Sequence, residues 1–195
     1  MLQIILLAAG LSQRFGATNK LLHPVEGKEI FLHTLTNLSK AKLGKILLVT
    51  GLNRKEVVDQ IPSHISFQEV YNPNFKSGMT SSIQAAVTAS SASANGYMIC
   101  LADQIKIKPK TYSLISKAYE KLYKENQQSI LVPSYQSQNA NPVVLSSHYR
   151  SEILQLKSTN GCKPIVLKNK SNIHILNLED PGLVFDIDTM EDLNE

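Results

Sequence analysis

Three short, mostly apolar runs recur along the chain: Leu2 to Leu7, Lys45 to Thr50 and Tyr97 to Ala102. Each is too short to cross a membrane, and none shows the polar alternation of a strand with one wet face. They read as strands buried on both sides. Between them the apolar period lengthens, so that Glu29 to Lys40 brings Ile30, Leu32, Leu35 and Leu38 near one helical face. Buried strands that alternate with helices specify a mostly parallel sheet covered on both faces. An α/β, Rossmann-like three-layer α/β/α fold is predicted, and 195 residues suit a single domain spanning 1–195.

The other elements follow from local signals. Arg54 to Ile61 reads as a short helix closed by Pro62, Ser66 to Tyr71 as a third strand, and Gly78 to Ala92 as a long helix of small residues. Pro109 to Glu125 is a helix that begins with Pro, where the missing N–H has no intrahelical partner to lose. Ser129 to Pro133 and Pro142 to Leu145 flank a polar excursion and are expected to form an antiparallel hairpin laid over the sheet. Ser147 to Leu156 and Gly161 to Lys168 read as helical. Ile173 to Leu178 and Val184 to Ile187 read as the last strands, and Thr189 to Leu193 as a terminal helix.

Composition narrows the function classes. Hydrophobic residues at 43% and charged ones at 18% are ordinary for a globular protein. Cys100 and Cys162 are too far apart for a C-x-x-C pair or zinc knuckle, and read as small buried hydrophobes. No cationic stretch precedes the first apolar run, so a cytoplasmic protein without a membrane partner is expected. The net charge of +4 comes from scattered lysines, without an arginine-rich stripe or aromatic platform. That pattern argues against nucleic acid and suits anionic small molecules.

The first strand runs into Ala8, Ala9 and Gly10, then into a loop holding Ser12, Arg14, Gly16 and Lys20. Open α/β sheets bind ligands at the carboxyl ends of their strands. Small residues there let backbone N–H groups approach an anion, and Arg14 and Lys20 add positive charge. The spacing fits neither G-x-G-x-x-G nor the P-loop, because the next glycine after Gly10 is Gly16 and Ala17 follows it. A serine nucleophile elbow fails as well, since Arg14 stands at its second glycine. At the end of the third apolar run, Asp103 lies on the same sheet edge, where one carboxylate beside substrate phosphates is enough to bind Mg2+. Gly78 opens a helix rich in hydroxyls, including Ser81 and Ser82, which suits either a ribose or phosphate or an ordinary helix start. The run Phe185 to Leu193 holds Asp186 and Asp188, either as caps of a short helix or as metal acids.

The string L-A-A-G-x-S-x-R-x-G from Leu7, with Lys20 four residues on, resembles the signature of the MobA-like NTP transferase superfamily. Asn72 to Ser82, Leu101 to Gln104 and D-I-D-T-x-E-D-L from Asp186 are similar to further motifs of its molybdenum cofactor cytidylyltransferase branch. The resemblance implies a GT-A-like nucleotidyltransferase fold. It assigns Arg14, Lys20 and Asp103 to catalysis, and Leu7, Ala8, Ala9, Gly10, Ser12, Gly16, Gly78, Ser81, Ser82, Asn141 and Lys163 to substrate binding. Asp103 and Asp188 would hold Mg2+ or Mn2+, with Asp186 as the neighbouring alternative to Asp188. Ala9, in place of a second glycine, implies CTP over GTP. The family's Gly-x-Pro and Gly-Asp-x-Gly-Ala-Arg motifs are reduced here to Asn141-Pro142 and Gly161-Cys162-Lys163, which leaves the acceptor open. Molybdenum-bound molybdopterin is the implied acceptor and a molybdenum hydroxylase the implied recipient. Transfer to a sugar phosphate or methylerythritol phosphate, and a non-catalytic cofactor carrier, are the alternatives.

Overall fold

Uniformly apolar strands need a protein layer on each side, and the chain supplies both. The computed structural model describes residues 1–10, 19–187, 189 and 191–194. In chain order its strands are β1 (Leu2–Ala8), β2 (Pro24–Val25), β3 (Lys28–Glu29), β4 (Ile46–Thr50), β5 (Phe67–Tyr71), β6 (Gly96–Leu101), β7 (Ile130–Tyr135), β8 (Gln138–Asn139), β9 (Val143–Ser146) and β10 (Ile173–Asn177). The α-helices are α1 (Ile30–Ala41), α2 (Arg54–Asp59), α3 (Met79–Ala89), α4 (Pro109–Glu125), α5 (Arg150–Gln155) and α6 (Lys163–Lys168). The main sheet runs β10-β7-β9-β6-β1-β4-β5, with β8 paired to β7. β1 pairs in parallel with both β4 and β6, β4 with β5, and β7 with β10, while β9 is antiparallel to β6 and β7. The expected mixed, mostly parallel α/β/α architecture is present.

Alternation along each strand divides the core in two. Ile4, Leu6, Ile46, Leu48, Met98 and Cys100 meet α1 and α4 on one face. Ile5, Leu47, Val49, Tyr97 and Ile99 meet α3 and α5 on the other. Every residue of β4 is buried. Full burial of each such aliphatic side chain contributes about 1.5–3 kcal/mol.

Three expectations need correction. β7 and β9 pair antiparallel as expected, but they do not lie over the sheet: β9 is inserted in it between β6 and β7. Val144 packs into one core layer and Leu145 into the other, so β9 has no face to turn to water. Val184 to Ile187 is not a strand. Asp180 caps a 3-10 turn, Pro181–Val184, and the following backbone finds a partner in Asp103 rather than in a ladder. The terminal helix is a 3-10 turn, Glu191–Asn194, ahead of which the Thr189 N–H and hydroxyl both donate to Asp192 Oδ2. The small β2–β3 hairpin was not anticipated; Glu26 and Gly27 turn it with φ of 49° and 75°.

From β1 the chain moves outward to β4 and β5, then returns through α3 to place β6 on the other side of β1. That reversal opens a crevice at the carboxyl ends of β1 and β6, the position where open α/β sheets bind ligands.

Candidate active site

At the reversal, β1 ends at Ala8 and β6 at Leu101, one on each side of the crevice. Leu7 is half-buried and Ala8 and Ala9 are buried, whereas Gly10 is exposed. A Cβ placed on Gly10 would meet no atom of the described residues within 4 Å. Ser12, Arg14 and Gly16 lie outside the described residues, as does Asp188.

Lys20 begins a 3-10 turn, Lys20–Leu22, and is only 8% exposed. Its Nζ lies 2.8 Å from Asp103 Oδ2, just beyond the end of β6. A buried ammonium needs such a partner. Asp103 Oδ1 is also buried, yet it has no hydrogen-bond partner among the described residues. A carboxylate with one oxygen held by lysine and the other unpaired fits a divalent cation that takes its remaining ligands from phosphates and water. Among the described residues no cluster of three or more His, Cys, Asp or Glu converges.

Asn19 anchors the loop's return. Its side chain accepts from the Leu21 N–H at 3.0 Å, and its Nδ2 donates to Asn53 Oδ1 at 3.1 Å, just before α2. The turn carrying Asn53 is fixed in its own right. Arg54 Nε and Nη2 lie 2.7 and 2.9 Å from the two oxygens of Glu69, and the Thr50 hydroxyl donates to the same carboxylate. Partial burial pushes the Glu69 carboxyl up, but the hydrogen bonds from Arg54 and Thr50 outweigh it and hold the group below its ordinary range.

Two more segments reach the same edge. Ile187 N–H donates to the Asp103 carbonyl at 3.3 Å, which brings exposed Asp186 alongside the crevice. Antiparallel pairing places Val143 opposite Ile99, so Asn141 and Pro142 lie at the carboxyl end of β6, joined by a cis peptide bond.

Gly78, Ser81 and Ser82 stand at the start of α3, and their groups are committed internally. Asn72, 2% exposed, donates to Ser81 Oγ at 2.9 Å and Ser82 Oγ at 3.0 Å and accepts from Asn74 N–H. Ser81 Oγ in turn donates to the carbonyls of Gly78 and Asn74. The Met79 N–H, first of the helix, is taken by the Thr159 carbonyl at 3.0 Å. The segment from Thr159 to Gly161 therefore sits on the first turn of α3, and Lys163, exposed at the start of α6, follows it. The structure brings Lys20 and Asp103 together at the sheet edge where Gly10 follows β1, with Asp186 and Asn141 on the same rim. It groups Gly78, Ser81, Ser82 and Lys163 around α3. Sequence reasoning missed Asn19, Asn53 and Asp180; Asn19 and Asp180 had a local signal, as an Asn opening a turn and as the Asp of an Asp-Pro-Gly turn.

A family model, the MobA-like NTP transferase domain, matches residues 4–173, most of the chain. The chain belongs to the MobA-like NTP transferase family. The match spans β1, Lys20 and Asp103 and stops before the segment of Asp186. The chain is 24% identical over 193 residues to the molybdenum cofactor cytidylyltransferase of Escherichia coli (strain K12), covering 96% of this chain and 91% of that protein. Among solved structures it resembles Rv0371c of Mycobacterium tuberculosis H37Rv, with a TM-score of 0.82 at 22% identity over 99% of this chain and 95% of that one. A second structure of that protein, in complex with manganese, gives 0.79 at 21% identity over 99% and 96% of the two chains. These likenesses confirm the nucleotidyltransferase fold, and the MobA-like family gives a nucleotidyltransferase acting on small molecules.

Proposed function

We propose that residues 1–195 form one transferase domain that moves CMP from CTP to molybdenum-bound molybdopterin, releasing pyrophosphate. The observation that carries this reading is the Lys20–Asp103 pair at the sheet reversal, with one carboxylate oxygen unpaired among the described residues. The likeness to a cytidylyltransferase over nearly the whole chain supports the nucleotide and acceptor, as does the Leu-Ala-Ala-Gly form of the first loop.

In this reading a terminal phosphate oxygen of the acceptor bonds to the α-phosphorus of CTP. The bond from that phosphorus to the β-phosphate oxygen breaks, and pyrophosphate leaves with the electron pair. The attacking oxygen is already anionic, so no strong general base is required. Catalysis then rests on alignment and charge neutralisation. Lys20 and Arg14 neutralise the phosphates, and the amides around Ala9 and Gly10 hold them. Asp103, with Asp188 or Asp186, would bind Mg2+ or Mn2+. Such a cation, when bound, neutralises charge on the transferring and departing phosphates. The manganese complex of the Mycobacterium tuberculosis relative supports a divalent metal on this fold. Asn141 and Lys163 face the acceptor in this scheme, and a molybdenum hydroxylase receives the product.

The test is pyrophosphate release with each of the four NTPs and Mg2+ or Mn2+, with and without molybdenum-loaded molybdopterin. Release with CTP only when the cofactor is present is the expected result. Release with a sugar phosphate or methylerythritol phosphate instead reassigns the acceptor. Cofactor binding without release under any condition makes the chain a carrier.

A further inference from the structure

Asp180 is 3% exposed and stands apart from the Lys20–Asp103 pair. Its carboxylate accepts three hydrogen bonds, all from neutral donors. Oδ2 takes the Lys108 N–H at 3.1 Å and the Thr111 hydroxyl at 2.5 Å, and Oδ1 takes the Gly182 N–H at 3.1 Å. A buried carboxylate whose bonded donors are all neutral is an expensive choice for a mere turn, where Ser or Asn would serve. Its placement gives the reason. α4 begins after Lys108, which caps nothing with its own side chain, and Asp180 supplies that acceptor from 72 residues away. The same group starts the 3-10 turn that leads toward Asp186. One carboxylate therefore joins the loop after Asp103 to the segment carrying the second acidic motif.

From Asp180 the two segments run against each other down to the crevice. Gly182 lies flush on the loop; a Cβ there would stand 2.3 Å from the Lys106 carbonyl oxygen. Gln104 Nε2 then donates to the Leu183 carbonyl at 3.1 Å, Lys106 Nζ lies 3.5 Å from the Phe185 ring centroid, and Ile187 N–H closes on the Asp103 carbonyl. The contact is a zip of four steps, anchored at the far end by Asp180 and ending on Asp103.

We propose that Asp180 is a positioning residue: by clamping the Pro181–Ile187 segment onto the Asp103–Lys108 loop it fixes the Asp103 carboxylate in its metal-binding pose. This rests on the reading that Asp103 holds a divalent metal. Thr111 completes the clamp, and its hydroxyl is the part that can be removed with least harm to the fold.

The test compares the full-length wild type with Asp180→Asn, Thr111→Val, Thr111→Ser and Asp103→Asn. Mn2+ binding, alone and with CTP, is read from the electron paramagnetic resonance of free Mn2+. Hydrogen–deuterium exchange is followed in peptides covering 101–108 and 181–187. Asp180→Asn and Thr111→Val are expected to speed exchange in those two segments together and to weaken Mn2+ binding about tenfold or more. Thr111→Ser, which keeps the hydroxyl, is expected to behave as wild type. If Asp180→Asn does not fold, Thr111→Val against Thr111→Ser carries the same comparison. Faster exchange with Mn2+ binding at wild-type strength overturns the proposal and leaves Asp180 a fold residue, and unchanged exchange overturns the clamp. Wild-type Mn2+ binding by Asp103→Asn overturns the metal reading, a failure the exchange data keep distinct.

Discussion

Two glycines show at the scale of single residues how fold and chemistry divide the first loop and the start of α3. Gly78 has φ of 94°, and a Cβ there would approach the Thr159 carbonyl oxygen to 2.8 Å. Gly78→Ala is expected to destabilise the protein by about 1–3 kcal/mol, because both the backbone and the close contact resist it. Gly10 shows neither constraint among the described residues, none of which stands within 4 Å of its would-be Cβ. Gly10→Ala is expected to leave the denaturation midpoint near wild type yet raise the KM for nucleotide about tenfold or more, the effect of one methyl group in a binding site. Denaturant titration and initial-rate kinetics on the two variants check the contrast. The places of Gly10 and Asp103 were legible in the sequence because each follows closely on a buried strand, whereas Lys20 was legible only as a cation of the loop after the first strand. The pairings of Asn53 and Asp180 were not legible, since their partners Asn19 and Thr111 lie 34 and 69 residues away.

At the scale of elements, what was legible followed the apolar runs. α4 begins and ends where Pro109 and the last helical period place it, and β1, β4 and β6 lie within one residue of their apolar stretches. Strands buried on both faces advertise themselves by composition alone. The place of β9 was hidden, because Val143 to Ser146 reads the same whether it lies over a sheet or within one. Only its distant partners in β6 and β7 decide between the two. The turn Pro181–Val184 was hidden for a related reason. The apolar residues of Val184 to Ile187 suggested a strand beginning there, but the backbone of 182–187 finds Asp180, Gln104 and Asp103 as partners. A short element bordering a site takes its shape from long-range polar partners more than from its own propensity.

At the scale of the whole molecule, the sheet buries titratable groups as well as aliphatic ones. Burial raises the Cys100 thiol and the Tyr112 and Tyr119 hydroxyls above their ordinary ranges, and pushes the Cys162 thiol up to about 12. A folded-state pKa raised above the unfolded value gives stability that is full below the unfolded pKa and lost as pH rises through the folded one. With unfolded values of about 8.5 for Cys and about 10 for Tyr, the urea midpoint is expected to hold from neutrality to mild alkalinity and to fall as pH climbs past those values. Tyr112→Phe is expected to relieve part of that fall. The Tyr112 hydroxyl has no hydrogen-bond partner among the described residues, so its removal has little effect near neutrality. None of these groups lies between the carboxyl ends of β1 and β6, where the sheet's reversal brings Lys20 and Asp103 together. The most direct measurement is Mg2+-dependent pyrophosphate release from CTP and molybdenum-loaded molybdopterin by Asp103→Asn against wild type, each with circular dichroism. A natively folded variant whose turnover falls by about a hundredfold or more is the predicted result; native folding with wild-type turnover would contradict the assignment of this crevice as the catalytic site.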